Sequence, residues 1–293
     1  MLHTIKNDFL SVTVSEQGAQ LQSILSGSGT EYLWQGDPKY WPDRALNLFP
    51  YVARLTEGAY FLDGEKHHMG IHGIAPYRRF STAEHTGDRL VMELVSDEAT
   101  LAEYPRQFSF RILYVLREDT LEVTFQVENR DKKTMYFGLG GHPGFNVPVI
   151  PGKSFEDYRL RFGEACTPVR IGFSDDCFVT GDDTPFPLED NTILPLRHSL
   201  FDKDAIVLKD MAHQVVLEAS DGTPAVTVTF PGMPYLGLWH RPRTDAPYIC
   251  IEPWCSLPSR KNRIAVLEEQ EDLICLVPGE TYCNTWTIRI HHR

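Results

Sequence analysis

A long central stretch of alternating apolar and polar residues limits the fold of this chain more than any other feature. In its first segment, every second residue from Phe108 to Leu116 is apolar. The turn-like run Arg117–Thr120 follows, and alternation then resumes from Leu121 to Glu128. Strict alternation is the pattern of a strand with one buried face. The stretch therefore predicts a β-hairpin with one face in water.

Strand signals recur along most of the chain, whereas helical periodicity is scarce. One short helix is predicted over Ser96–Glu103, with Ser96 as its cap and Tyr104-Pro105 as its end. Strands that follow one another without helices between them predict antiparallel sheets stacked face to face. We therefore expect an all-β fold, a large antiparallel β-sandwich. Further strands are predicted at Phe9–Val14, Ala59–Leu62, Leu90–Val95, Ile206–Leu208, Val215–Glu218, Ala225–Phe230, Leu273–Val277 and Tyr282–Ile290.

The chain has 293 residues, and sandwiches of more than ~200 residues often form a single domain. We expect one domain over 1–293, with the Pro-, Asp- and Gly-rich segment 166–198 as a long excursion from it. A net charge of −12 argues against nucleic acid or an anionic membrane as a partner. The six cysteines lack metal-finger spacing, and the N-terminus lacks an apolar leader. These features predict free thiols and a cytoplasmic protein.

Two runs of unusual composition carry groups that can transfer protons. The run Gly141–Asn146 contains His142, and the run Cys250–Trp254 lies far downstream and contains Glu252. An imidazole and a carboxylate on separate strands can act as a general acid and a general base. The alternative is that His142, which precedes a proline, is a structural turn residue.

Two further clusters could bind a ligand. Arg54 lies in the apolar run 47–55, where its charge needs either a ligand oxygen or a structural salt bridge. The run 67–73 has three histidines, but no carboxylate or thiol stands at metal-ligand spacing, so we expect no metal site. His72 precedes Gly73, which allows close backbone approach, and is the histidine expected to face a ligand.

Taken in order, these runs resemble the aldose 1-epimerase (galactose mutarotase) family. They correspond to its Asn-Arg-Ile stretch and Leu-Asp-Gly turn, its His-Gly, Tyr-Pro-Gly and His-x-Tyr-Phe-Asn elements, and its elements with the binding Asp and the catalytic Glu. The resemblance is closest to a mutarotase-like subgroup often found with lactose-utilisation genes. The matching runs here are Val52–Gly64, Ile71–Gly73, Glu103–Pro105, His142–Asn146, Leu200–Ala205 and Cys250–Trp254.

The resemblance implies a galactose mutarotase-like supersandwich that interconverts the α and β anomers of a free aldose without a cofactor. It also implies roles for single residues: Glu252 as base, His142 as acid, and Arg54, His72 and an Asp as substrate-binding groups. Asp202 and Asp204 both fit the last role, and we favour Asp204. Two departures bear on sugar preference, because Gly144 stands where many members have Tyr and Pro253-Trp254 replace a more polar pair.

The chemistry needs an apolar wall for the sugar ring, and Trp239, Trp254 and Phe145 are candidates for it, or else core residues. A hexose-phosphate epimerase is an alternative function, with Arg78-Arg79 or Arg241 and Arg243 as a phosphate clamp or as solvated strand-end charges. A non-catalytic sugar-binding protein is another. The expected partner is a monosaccharide, and the oligomeric state is left open.

Overall fold

A computed structural model describes residues 1–291 of the chain, and strands dominate it. The first twelve strands are β1 (Leu2–Lys6), β2 (Leu10–Ser15), β3 (Leu21–Ser26), β4 (Ala45–Leu48), β5 (Ala59–Leu62), β6 (Glu65–His68), β7 (Ser81–His85), β8 (Arg89–Val95), β9 (Phe108–Arg117), β10 (Thr120–Asn129), β11 (Met135–Phe137) and β12 (Gly140–Asn146).

The remaining strands are β13 (Tyr158–Phe162), β14 (Val169–Arg170), β15 (Thr184–Pro185), β16 (Ile193–Pro195), β17 (Ile206–Lys209), β18 (Gln214–Ala219), β19 (Pro224–Thr229), β20 (Tyr235–Trp239), β21 (Tyr248–Trp254), β22 (Ala265–Val266), β23 (Ile274–Leu276) and β24 (Thr281–Ile290). Helical structure is limited to α1 (Glu98–Glu103) and to 3₁₀ turns at Thr56–Gly58, Ala75–Tyr77, Phe155–Asp157, His198–Phe201 and Leu267–Glu269.

Two large sheets contain most of these strands. A nine-stranded sheet has the order β16-β13-β18-β19-β24-β10-β9-β8-β7, and a seven-stranded sheet has the order β15-β14-β17-β20-β21-β12-β4. Their strands pair antiparallel throughout. Smaller sheets join β1-β2-β3, β11-β23 and β22-β5-β6, and within residues 1–291 the parallel strand pair is β22 with β5.

The two large sheets pack face to face. Gly141 of β12 lies so close to the Trp286 indole of β24 that a Cβ would come within 2.6 Å of the ring. The amide of Asn47, in β4, donates to the Tyr114 hydroxyl of β9 across the same interface. The prediction of an all-β antiparallel sandwich is confirmed. The apolar core between the sheets includes residues from Ile5 to Ile290, and the single domain stays a prediction.

The predicted hairpin is present as β9 and β10, with Arg117 paired to Thr120 across the turn. The predicted cap of α1 was wrong by one residue. Asp97 is the cap, since its carboxylate accepts the Thr100 N–H at 2.8 Å. The Ser96 hydroxyl instead accepts the backbone N–H of Phe108 at 3.1 Å, which holds it outside the helix. No helix within residues 1–291 is long and apolar enough to span a membrane.

The outer face of the seven-stranded sheet carries a second buried cluster. In β21, Ile249 and Ile251 face the core between the sheets, whereas Tyr248, Cys250 and Trp254 belong to the outer cluster. Loop residues such as Trp41 cover this face. Polar side chains that alternate with the core residues of β21 are therefore buried beneath loops.

A histidine pair lies near the edge of this outer cluster. His240 is fully buried, and one of its ring nitrogens, Nδ1, lies 2.8 Å from the Arg241 carbonyl and so donates to it. The other, Nε2, lies 3.1 Å from Nδ1 of His198 and accepts from it when His240 is neutral. Burial lowers the pKa of His240 to about 4. Burial in the folded chain thus favours the neutral form of His240.

Stability should therefore fall on acidification. A histidine with a lowered folded-state pKa stabilises the fold above its unfolded pKa, near 6.5, and that stabilisation is lost as the pH falls towards 4. We expect Tm to drop steeply as the pH falls from 6.5 to about 4. The dependence of Tm on pH should be shallower in His240→Asn. The exposed His68→Asn is the control and should keep the wild-type slope. Identical slopes in all three proteins, measured by scanning calorimetry, would contradict this account.

Candidate active site

Strand register places His142 beside Glu252. The pairing of β12 with β21 joins Gly140 to Trp254 and Gly144 to Cys250, which sets His142 opposite Glu252 on the outer face. Pro143 and Pro253 follow these two residues and lack the N–H that a strand ladder uses. The His142 Nε2 and Glu252 Oε2 atoms lie 3.3 Å apart. Two rigid neighbouring strands therefore hold an imidazole and a carboxyl group in contact.

Both groups are buried, with exposed fractions of 7% for His142 and 1% for Glu252. Burial, helped by the nearby ring of His72, holds the pKa of His142 well below its ordinary value. Burial and the charge of Asp204 raise the pKa of Glu252 well above its ordinary value, against the smaller effect of the Trp254 indole. The low-dielectric surroundings oppose the charged form of each group.

Two buried polar atoms at this pair lack hydrogen-bond partners within residues 1–291. They are Nδ1 of His142 and Oε2 of Glu252. An unsatisfied buried polar atom costs ~1–3 kcal/mol, so such an atom in a site favours a partner that completes its hydrogen bond. The orphaned atoms therefore point to a polar ligand at the pair.

Cys250 completes a group of three residues that could hold a metal ion. Donor atoms of His142, Cys250 and Glu252 lie within 4.8 Å of one another. Burial, together with Glu252, raises the pKa of the Cys250 thiol well above its ordinary value. A metal would first have to displace the thiol proton, because thiolate is the ligating form. We assign no metal here.

His72 lies against His142 and is held by the backbone of Ala53. The two ring centroids are 5.4 Å apart with an edge-on arrangement. Ala53 donates its N–H to Nδ1 of His72 at 3.3 Å, and its carbonyl accepts the His72 N–H at 2.9 Å. Both residues have left-handed backbones, with φ of 55° and 64°. Nδ1 is thus an acceptor, so Nε2 carries the hydrogen and can donate to a ligand oxygen.

Arg54 follows Ala53, and its exposed guanidinium makes no hydrogen bond or ion pair with the described residues. The alternative of a structural salt bridge is therefore not seen. Burial and the charge of Arg54 lower the pKa of His72 to about 4, so this imidazole is neutral at neutral pH. Arg54 and His72 together present hydrogen-bond donors beside the pair.

The position of His72 depends on Gly73, whose φ is +79°. A Cβ added at this position would overlap the Phe49 carbonyl. Replacement by Ala imposes both backbone strain and a clash, so Gly73→Ala should lose more than about 2 kcal/mol of unfolding free energy. Gly87→Ala is the matched control, because a Cβ there meets nothing within 4 Å. The unfolding free energy of Gly87→Ala should differ from that of the wild type by less than about 0.5 kcal/mol. Urea denaturation measures both, and equal stabilities would contradict the argument.

Asp204 is anchored by three donors. Its Oδ1 accepts the Trp239 indole N–H at 2.8 Å and the Ala205 N–H at 3.0 Å, and its Oδ2 accepts the Cys177 thiol at 3.2 Å. The Trp239 ring stands edge-on to His142 with centroids 5.8 Å apart. Asp202, in contrast, is exposed and lines a pocket at the rim. The geometry thus favours Asp204 over Asp202 as a residue of the site.

Trp41, from the loop between β3 and β4, covers the His142 ring. Their centroids are 4.8 Å apart and the rings are stacked, and Trp41 also meets Trp239 edge-on at 5.6 Å. Gly144 makes room for it, because a Cβ there would lie 3.2 Å from the Trp41 ring and 3.1 Å from Trp34. The absent side chain at Gly144 therefore lets an indole pack over the imidazole.

Comparison with known proteins assigns the chain to a family. Residues 1–289 match the profile of aldose 1-epimerase. The chain belongs to the aldose 1-epimerase family. The plasmid and chromosomal LacX proteins of Lactococcus lactis subsp. lactis are each 32% identical to it over 295 residues, with 98% of both chains covered. The family resemblance and the lactose-associated subgroup are thus confirmed.

Solved structures agree with this assignment. A galactose mutarotase related enzyme from Lactobacillus acidophilus superposes with a TM-score of 0.92 at 32% identity, covering 100% of this chain and 98% of that one. A galactose mutarotase-like protein from Lactobacillus casei ATCC 334 gives a TM-score of 0.92 at 27% identity, with 99% and 100% covered. The fold of this epimerase-family chain is that of the galactose mutarotase-like proteins.

Several predicted residues of the family site lie together, and others do not. His72, His142, Asp204, Trp239 and Glu252 are linked through the contacts above, and the charge of Arg54 lies near enough to lower the pKa of His72. Phe145 is fully buried in the core between the sheets, because it alternates with Gly144 onto the opposite face of β12. It therefore cannot form the apolar wall. His67 packs on Tyr60, and His68 is exposed.

Proposed function

We propose that this protein is a mutarotase that interconverts the α and β anomers of a free hexose such as glucose or galactose. The observation that carries the proposal is the buried contact between His142 Nε2 and Glu252 Oε2 at 3.3 Å. Mutarotation needs one proton removed from the C1 hydroxyl and one delivered to the ring oxygen. An adjacent imidazole and carboxyl group supply both functions at one place.

We infer that the pair shares a single proton, because burial opposes a charge on either group. A second proton would leave a buried imidazolium beside a neutral acid, and loss of the proton would leave a buried carboxylate beside a neutral imidazole. The pKa of His142 is lowered and that of Glu252 is raised, which supports one proton on the pair. One proton on two groups means that an acid and a base are present together.

Ring opening then balances as follows. With the proton on His142, the Glu252 carboxylate takes the C1 hydroxyl proton while the C1–O5 bond breaks. The bond electrons go to O5, which takes the proton of His142, and C1 becomes an aldehyde. Rotation about C1–C2 presents the other face of the aldehyde. Closure returns the proton of Glu252 to O1 and the O5 proton to His142, which yields the other anomer.

The surrounding groups orient the sugar. Arg54 and the Nε2–H of His72 donate to ring hydroxyls, and the anchored Asp204 carboxylate accepts from one. Trp239 and Trp41 form the apolar wall. Trp254, buried and on the same face of β21 as Glu252, shields the carboxyl group from water. No step uses a cofactor. The six unpaired cysteines support a cytoplasmic location.

Ion pairing removes one of the two arginine pairs that could clamp a phosphate, whereas the side chains of Arg241 and Arg243 make no ion pair with the described residues. Arg78 pairs with Glu103, and Arg79 pairs with Glu16 at 2.6 Å, so neither is available to clamp a phosphate. The binding-protein alternative gives no reason for a proton-transfer pair in the site. Free hexoses are the proposed substrates, and an assay on the 6-phosphate separates them from the phosphate alternative.

Polarimetry on freshly dissolved α-D-galactose and α-D-glucose tests the proposal, followed by the same assay on glucose 6-phosphate. We expect optical rotation to reach equilibrium faster in proportion to enzyme concentration with the free sugars. A preference for the 6-phosphate would replace the proposed substrate class. No acceleration on any aldose, with sugar binding intact, would make the protein a binding protein.

A further inference from the structure

The indole of Trp254 lies beside the catalytic pair with its N–H unused. Trp254 is 4% exposed, and its Nε1 makes no hydrogen bond with any group in residues 1–291. A buried donor without an acceptor is costly, and the N–H of a buried indole usually finds a partner. An acceptor that completes this hydrogen bond at some stage of the reaction is therefore expected nearby.

Two glycines make room for the indole. Gly140 of β12 pairs with Trp254 itself, and Gly237 of β20 pairs with Glu252. A Cβ on Gly140 would lie 2.7 Å from Cδ1 of the indole, and a Cβ on Gly237 would lie 3.0 Å from its Cζ2. The ring therefore reaches from one neighbouring strand to the other, in space that side chains at these positions would fill.

Glu252 is the acceptor beside this N–H. It lies two residues before Trp254 on the same face of β21, and a Cβ on Gly237 would also lie 3.2 Å from Cβ of Glu252. Burial raises the pKa of Glu252 and the charge of Asp204 adds to this effect, whereas the indole N–H opposes both. Oε2 of Glu252 has no hydrogen-bond partner among the described residues. An unpaired donor and an unpaired acceptor thus lie close together.

The proton of the catalytic pair can lie on either group. Burial opposes a charge on each, so the uncharged arrangement, with the proton on Glu252, is favoured at rest. Ring opening needs the opposite arrangement, because Glu252 must take a proton while His142 gives one. A group that stabilises the carboxylate form of Glu252 therefore makes the reactive arrangement easier to reach.

The indole N–H is the neutral donor best suited to that task. Asp204 is an anion and opposes a second negative charge, the Cys250 thiol is a weak donor, and the Tyr248 hydroxyl is already bonded to a backbone N–H. A hydrogen bond to a carboxylate is stronger than one to a neutral acid. The titratable groups near Glu252 are His142, Asp204, Tyr248 and Cys250.

We propose that Trp254 is a positioning residue of the reaction, whose indole N–H donates to the Glu252 carboxylate when the proton lies on His142. The inference rests on the proposed mutarotase function and adds a residue to its machinery. The hydrogen bond strengthens as Glu252 becomes a carboxylate, so it lowers the barrier from the uncharged resting pair. Stabilisation of this kind raises turnover without tightening sugar binding.

Replacement of Trp254 by benzothienylalanine tests the N–H alone. This analogue of tryptophan has sulfur in place of the indole N–H and nearly the same size, so it keeps the packing on Gly140 and Gly237. We expect kcat for α-D-galactose to fall at least about fivefold through loss of a hydrogen bond to a charged group, with KM within about twofold of the wild-type value. Polarimetry at several sugar concentrations gives both constants.

Trp286 supplies the matched control. Its indole is also buried, has an N–H unpaired within residues 1–291, and packs on Gly141 of β12 from the core between the sheets. The same replacement at Trp286 should leave kcat and KM at their wild-type values. Equal Tm values for the three proteins establish that each one folds.

An unchanged or raised kcat in the Trp254 variant would overturn the inference. A rise in KM alone would do so too, because the indole would then act on the sugar, and an equal fall in the Trp286 variant would mean that packing against β12 is responsible. In each of these cases wild-type acceleration of mutarotation leaves the proposed function standing. A wild-type protein that accelerates no aldose would instead remove the proposed function.

Discussion

Glu252→Gln should reduce the turnover number for α-D-galactose by ~10²–10⁴-fold, the range typical of a general acid/base group. Glutamine keeps the size and hydrogen-bonding capacity of the side chain but cannot take the C1 hydroxyl proton. Glutamine fills nearly the same volume as the buried glutamate, so the replacement leaves no cavity beside His142. KM should change little, since the orienting groups Arg54 and His72 are untouched. Initial rates of optical-rotation change, corrected for spontaneous mutarotation, give both constants.

Glu122→Gln is the matched control for this variant. Glu122 lies in β10 on the nine-stranded sheet, where it pairs with Arg117 at 3.5 Å. Its replacement removes one carboxylate charge without touching the site, so both kinetic constants should keep their wild-type values. Turnover near the wild-type value in Glu252→Gln would remove Glu252 from the assigned role.

His142→Asn should lower turnover to a similar extent, because the asparagine amide cannot give a proton to O5 and take it back. The stacked ring of Trp41 loses its partner in this variant, so a modest loss of stability is also expected. The double variant His142→Asn/Glu252→Gln is the informative comparison. Groups that act as one unit give non-additive losses, so the double variant should be hardly slower than either single variant.

Multiplied losses in the double variant would contradict the shared-proton account. They would mean that the two residues act independently. Measurement of Tm for each variant separates loss of chemistry from loss of fold. His67→Asn, which changes a histidine that packs on Tyr60 outside the site, supplies the control and should retain full turnover.

The alternation of side chains allowed strands such as β10 to be predicted from sequence, because they bury one face, whereas β12 and β21 are buried on both faces. Phe108 to Glu128 formed the expected hairpin for this reason. Shorter strands such as β14 and β15, in the segment 166–198, have only two residues each and carry no periodicity. Their pairing with each other, and the pairing of β14 with β17, is set by tertiary packing.

The candidate site was predictable in its residue types but not in its geometry. His142 and Glu252 stand out by composition, yet their contact depends on the register of β12 and β21, which distant residues determine. Phe145 illustrates the limit, since a shift of one residue along a strand reverses the face on which a side chain lies.

Trp41 and Cys177 were missed for different reasons. Trp41 follows Tyr40 in a Pro-rich loop, and this aromatic pair was a signal that could have been used. Cys177 gave none, because its contact with Asp204 depends on the path of the long excursion. The family resemblance likewise assigns no role to either residue.

Exchange between anomers at equilibrium tests the central claim most directly. Proton NMR saturation transfer between the H1 signals of α- and β-galactose measures interconversion without a net change in concentration. With wild-type protein at catalytic concentration, we predict exchange that rises in proportion to enzyme and disappears in Glu252→Gln. Exchange no faster than in buffer, from a folded wild-type protein that still binds the sugar, would contradict the assignment of His142 and Glu252 as a proton-transfer pair for mutarotation.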